Sequence, residues 1–205
     1  MQSVKNKIIS RIYGHGRGWC FSQIDFSDLA VRSTVDTVLG RVEADGIIRR
    51  VLRGLFDYPI YSDLLKSYLS PDMREVAFAL ARKFGWKLVP EGSTALHILG
   101  LDTQVPARLQ YYSNGPDRRY EIGESTLDFF HQKTKHTMIN NYFAATVVQA
   151  LLTLGPNAIT DEHRKQIASI KNRREFKRLL RETKQVTGWV QDEILRIAEL
   201  SEPME

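Results

Sequence analysis

The chain has 205 residues, with 29 Lys and Arg against 24 Asp and Glu for a net charge of +5. Its 42% apolar content can build a globular core, and its 26% charged content of mixed sign excludes a disordered polyelectrolyte. No apolar run reaches the roughly 20 residues of a membrane helix, the first ten residues do not read as a signal peptide, and the single Cys20 excludes an internal disulfide or a multi-cysteine zinc site. The cytoplasm is the expected compartment.

Charge is unevenly spread. Residues 1–56 carry net +4, 57–163 net −2, 164–184 net +7 and 185–205 net −4. Positive charge gathered at the N-terminal unit and in one C-terminal segment suits a polyanionic partner better than a uniform surface would.

The first predicted helix is 4–13, with Val4, Ile8, Ile9 and Ile12 on one side, stopped by Gly14-His-Gly-Arg-Gly18. Trp19–Phe21 is a candidate short strand. Ser22 with Asp25 has capping-box spacing and predicts a short helix ending near Ala30. Ser33 with Asp36 starts another helix. Its Val35, Val38, Leu39 and Val42 follow i, i+3, i+4, i+7, and it ends at Asp45-Gly46. Ile47–Arg50 and Leu55–Tyr58 predict two strands around Arg53-Gly54, closed by Pro59. Helix, short helix, helix and hairpin in this order make a winged helix-turn-helix.

Residues 60–70 are a predicted connection. Ser70-Pro71 opens a helix buried through Met73, Val76, Ala77, Leu80, Ala81 and Phe84 and ended by Gly85. Trp86–Val89, 108–112, 118–122 and 125–130 are candidate strands, with a short helix at Ser93–Leu99 and a hairpin signal at Asn114-Gly115. From Thr137 the pattern is helical: a helix to Gly155-Pro156, a start at Thr160, then 172–184 and 189–200. The expected fold class is α+β. It comprises a winged helix-turn-helix over 1–62, a small α+β unit over 65–136 and a helical unit over 137–205.

If the stripe Val35, Val38, Leu39 and Val42 faces inward, Thr34, Thr37 and Arg41 face outward, with Arg32 and Ser33 at the helix start. The N-terminal part of such a helix enters the DNA major groove. Arg can bond a guanine edge twice there, and Ser or Thr can serve base or phosphate. Arg49, Arg50 and Arg53 fall on the hairpin as wing residues for phosphates, and Arg17 can reach a phosphate from the glycine loop. The alternative is a winged-helix module for protein contact whose arginines are merely solvated. In the +7 segment, Phe176, Leu179 and Leu180 can face inward while Lys171, Arg173, Arg174, Lys177, Arg178 and Arg181 project. That face is a candidate second nucleic-acid contact, or a surface for the acidic tail 192–205.

Other chemistry is poorly supported. Gly14–Gly18 lacks the preceding strand and the Lys-Ser/Thr of a phosphate loop. The five histidines, including His97, His131 and His136, lack metal-ligand spacing. Asp117 and Glu182 with Lys184 only loosely echo a nuclease pattern, and Cys20 is read as a core residue. No catalytic residue, metal or cofactor is expected.

Arg11-Ile-Tyr-Gly-His-Gly-Arg-Gly-Trp19, Ser33–Leu39, Gly46–Arg50, Arg53–Pro59, Ala95–Pro106, Tyr112–Gly115 and Thr187–Trp189 together resemble the AbiEi-like antitoxins of type IV toxin–antitoxin systems. The resemblance implies a winged-helix repressor that binds duplex DNA at its own operon. It also implies a functional partner, a nucleotidyltransferase-like toxin, countered without a stable complex. The rival readings are a ligand-sensing repressor and an interaction or RNA-processing module.

Overall fold

The computed structural model describes residues 3–102, 108–132, 137 and 139–201. His136, the stretch Thr103–Pro106 and residues 202–205 lie outside them. The fold is α+β, and the chain divides into two compact units, 1–86 with 120–127, and 87–119 with 128–205.

The first unit opens with α1 (Val4–His15), whose Ser3 cap accepts from the Asn6 N–H. α1 runs two residues beyond its predicted end, with Gly14 inside it. The break comes at Gly16, whose φ of 85° a side chain would oppose. β1 (Cys20–Phe21) follows, then a 3₁₀ turn at Gln23–Phe26. The predicted short helix to Ala30 does not form beyond this turn. The Asp25 carboxylate accepts from the Ser22 N–H at 2.9 Å, and turns carry residues 27–29.

α2 (Arg32–Ala44) starts one residue before the predicted Ser33, after the exposed and extended Val31. Its stripe Val35, Val38, Leu39 and Val42 is buried as the spacing requires. Gly46, at φ 71°, turns the chain so that the Ile47 N–H donates back to the Val42 carbonyl. This bond holds Ile47 and Ile48 out of the hairpin, which starts at β2 (Arg49–Leu52) and returns in β3 (Leu55–Asp57). The sheet order is β1-β3-β2, the connectivity of a winged helix-turn-helix. Its core joins Ile8 and Ile12 of α1, Phe21, Phe26, the α2 stripe, Ile48 and Phe56. Each such side chain contributes about 1.5–3 kcal/mol on leaving water.

The predicted connection 60–70 forms a two-stranded hairpin of β4 (Tyr61–Ser62) and β5 (Ser67–Tyr68), with Tyr61 edge-on to Tyr68. α3 (Met73–Phe84) belongs with this first unit. Its Arg82 donates to the Asp25 carboxylate at 2.6 Å and to the Cys20 carbonyl at 2.6 Å.

In the second unit β6 (Leu88–Pro90) pairs antiparallel with β7 (Arg108–Ser113). β8 (Arg118–Ile122) and β9 (Ser125–His131), of which residues 120–127 group with the first unit, complete a sheet of order β6-β7-β9-β8. α4 (Gly92–Ile98) packs on α5 (Tyr142–Leu154) so closely that a Cβ at Gly92 would stand 1.9 Å from Thr153 Oγ1. α6 (Asp161–Ile170), α7 (Arg173–Glu182) and α8 (Gly188–Leu200) close the apolar core around Val147, Leu151, Ile167, Phe176, Val190 and Ile194. Asp128 is buried and receives Arg119 at 2.7 Å, which holds its carboxyl below the usual range.

Arg11 of α1 clamps Asp28 with two bonds, 2.6 and 2.7 Å, and donates to the Asp25 carbonyl at 2.8 Å. The bonded guanidinium lowers the Asp28 carboxyl from 3.8 to about 2. A carboxyl lowered by folding stabilises the fold above its unfolded pKa, and that contribution is lost as pH falls through the folded value. Asp28→Asn is therefore expected to lower the melting temperature at neutral pH. The gap from wild type should close between about pH 4 and pH 2. Thermal melts across this range check it, and a gap independent of pH contradicts the ion pair.

Candidate nucleic-acid interface

With the apolar stripe of α2 committed to the core, the 100° step of the helix decides where its polar residues point. Arg32, Ser33, Thr34, Thr37 and Arg41 are all exposed. Arg32 lies 3.6 Å from Asp36, and the Thr37 hydroxyl donates to the Ser33 carbonyl at 2.8 Å. Arg41 has no protein partner among the described residues. Gly40 adds no bulk beside it.

The hairpin treats its three arginines differently. Arg49 forks onto Asp57, its cross-strand neighbour, at 3.1 and 2.6 Å, and donates to the Leu69 carbonyl at 3.0 Å. Asp57 is only 1% exposed, so removing Arg49 would strand a buried carboxylate. Arg50 forks onto Glu43 of α2, with Nε at 2.8 Å, and lies 4.9 Å over the Phe56 ring. Those pairs bind the hairpin to its own strand and to α2. Arg53, at the turn, is exposed and has no side-chain partner among the described residues. Arg17 is likewise built in. It donates to the Pro59 carbonyl at 2.7 Å and sits 4.6 Å over Tyr58. His15 stacks on Trp19 at 3.8 Å.

One cation at this surface was invisible to the sequence pattern. Lys83, at the end of α3, donates to the Arg53 carbonyl at 2.8 Å and the Gly54 carbonyl at 3.3 Å. Its pKa is lowered by burial first and then by the charges of Arg32 and Arg53, with Asp36 opposing. Arg32, Arg53 and Lys83 therefore share one neighbourhood, though they come from three elements. The only local sequence signal was the basic pair Arg82-Lys83, which carries no such information.

The second unit presents its own basic surface. Phe176 and Leu179 turn α7 so that Arg173, Arg174, Lys177, Arg178 and Arg181 are exposed, and Lys171, at the end of α6, is exposed beside them in sequence. Arg178 donates to Glu182 at 3.0 Å, and Arg181 to the Lys177 carbonyl at 3.3 Å. Arg164 turns inward instead, to the buried Glu193 at 2.7 Å and to Asp161 at 2.6 Å. The Arg164 bond is the main cause of a lowered Glu193 carboxyl.

The remaining candidates take structural roles. Asp117 accepts from the His131 N–H at 2.6 Å, and Glu182 from the Asn141 N–H at 3.0 Å. Burial pushes the Cys20 thiol above the ordinary thiol range. Among the described residues no group of three or more His, Cys, Asp or Glu could hold a metal, and no helix is long and apolar enough to cross a membrane.

Stability and binding should separate along these lines. Arg49→Ala is expected to destabilise the fold by about 1–3 kcal/mol, the cost of leaving a buried acceptor unpaired. Arg41→Ala and Arg53→Ala should stay within about 0.5 kcal/mol of wild type. Urea unfolding of the three variants checks this, and equal stability of all three contradicts the division.

A comparison with curated proteins finds no match. Residues 7–179 match a family described as of unknown function, DUF6088. This span takes in the winged helix, α3, the four-stranded sheet and the helices through most of α7, and on that match the chain belongs to the DUF6088 family.

Proposed function

We propose that this chain is a duplex-DNA-binding transcription regulator that reads its site with α2. The observation that carries the reading is the exposed face Arg32, Ser33, Thr34, Thr37 and Arg41 on a helix whose opposite face is fully committed to the core. Among the described residues, the side chains of Arg41 and Arg53 have no partner inside the fold. Arg41 and Arg32 suit base edges or nearby phosphates, and Ser33 and Thr34 suit the phosphates or base edges at the helix start. Arg53 suits a phosphate beside the groove. Arg49, Arg50 and Arg17 position the hairpin and its flank rather than reach out. The α7 face supplies a second, sequence-independent contact to a nucleic-acid backbone.

The biological task follows from the resemblance in the motifs around the winged helix and beyond it. We infer that the protein represses its own operon and acts as the antitoxin of a type IV system, countering a nucleotidyltransferase-like toxin without a stable complex. No catalytic role is assigned to any residue.

A footprint on the DNA upstream of its own gene tests the reading. The full chain is expected to protect a defined site. Arg32→Ala or Arg41→Ala should weaken that site by about 1–3 kcal/mol where a base contact is lost. In cells, the double variant should lose repression of a promoter–reporter but still rescue growth when the toxin is induced. Unselective binding by wild type, or unchanged selectivity in the double variant, contradicts the assignment of α2. Failure of the full chain to rescue contradicts the antitoxin role.

A further inference from the structure

We propose that Lys83 and Arg53 form a single seat for one backbone phosphate of duplex DNA, a seat completed by α3 and not by the recognition helix and hairpin alone. The inference rests on the duplex-DNA reading above and adds a residue and a contact to it.

The argument begins with donors. A lysine ammonium has three N–H groups. Lys83 directs two of them to the carbonyls of Arg53 and Gly54, the residues of the hairpin turn. The third has no hydrogen-bond partner among the described residues, and the ammonium lies 5.5 Å from the centroid of the Phe84 ring. The turn can approach the ammonium this closely because residue 54 is glycine. Its φ is 67°, and the position of a Cβ there lies 3.2 Å from Lys83 Nζ. The ammonium is therefore fixed in place, with one donor left over.

Charge supplies the second part. The charges of Arg32 and Arg53 act on Lys83, and the Asp36 carboxylate opposes them there. Asp36 already lies 3.6 Å from Arg32. The other two arginines of the hairpin are matched one to one, Arg49 by Asp57 and Arg50 by Glu43. Unmatched positive charge on the hairpin thus collects at its turn. Gathering like charges around a partly buried ammonium is unfavourable in the free protein. An anion with several acceptor oxygens reverses that cost, since N–H donors of charged groups make short, strong bonds to it. A phosphodiester carries one negative charge and two free oxygens. It also recurs along a duplex at the height of a wing beside a recognition helix.

The test is the salt dependence of duplex binding by the full chain, for wild type, Lys83→Gln, Arg53→Gln and the double variant. Each phosphate neutralised contributes about 0.9 to the slope of log K against log salt. Both single variants are expected to flatten the slope and to lower affinity several-fold for specific and unrelated duplexes alike. The double variant should flatten it by about 0.9 in all, since one phosphate is lost. Lys83→Arg should restore the slope. Gln at 83 keeps a donor for the turn carbonyls, and Arg53 has no side-chain partner among the described residues to lose, so folding is preserved in at least one arm. An unchanged slope in the double variant overturns the seat and leaves the DNA reading standing. A change near twice the single-phosphate value shows two separate contacts and also overturns it. No duplex binding by wild type overturns both.

Discussion

Asp25 is the group on which the surface proposed to meet DNA depends. Its side chain is 9% exposed. One oxygen accepts the Ser22 N–H and ends β1 in a tight turn, and the other accepts Arg82 from α3. Its carbonyl takes Arg11 from α1. Two other elements, α1 and α3, are thereby tied to the turn that leads into α2. Arg82 is followed directly by Lys83, so the same ion pair that docks α3 also delivers an ammonium to the hairpin turn. The carboxylate of this pair is largely buried while Arg82 stays 38% exposed, so the pair's contribution is to geometry more than to net stability.

The basic residues of the first unit fall into two groups by what they touch. Arg11, Arg17, Arg49, Arg50 and Arg82 each find a carboxylate or a carbonyl inside the fold. They set the angles between α1, α2, the hairpin and α3. Arg41 and Arg53 are left outward, with Arg32 loosely held by Asp36. Net charge therefore overstates how many cations meet a partner and conceals where they gather. The second unit repeats the division, with Arg164 spent on Glu193 while the α7 row stays exposed.

Much of this was legible in the sequence because helices and their caps are local. The stripe of α2 and most of the buried face of α3 follow from 3.6-residue spacing, and the hairpin from Arg53-Gly54. Phe84, expected on the buried face, is 48% exposed at the end of α3, where Gly85 turns the chain away. The exposed face of α2 was legible as the complement of its stripe. The departures have local causes too. The turn at 23–26 stayed 3₁₀, held by the Asp25 bond. Gly14 stayed helical because the break fell to Gly16. The β4–β5 hairpin was hidden because two-residue strands have no alternation to read. What the sequence could not disclose was pairing. Arg49 meets Asp57 through cross-strand register, and Lys83 meets Arg53 across 30 residues. Both depend on tertiary placement, which no residue pattern encodes. Without those pairings, all three hairpin arginines looked equally available.

The most direct measurement of the central claim is an amide shift map of the labelled full chain titrated with a duplex carrying its upstream site. The account predicts that the amides of residues 32–37, 41, 53–54 and 83 move together and saturate at one duplex concentration. The Nε–H signals of Arg49 and Arg50 should stay in place, because Asp57 and Glu43 hold them throughout. Saturation of binding with the α2 face and the hairpin turn unmoved would contradict the account.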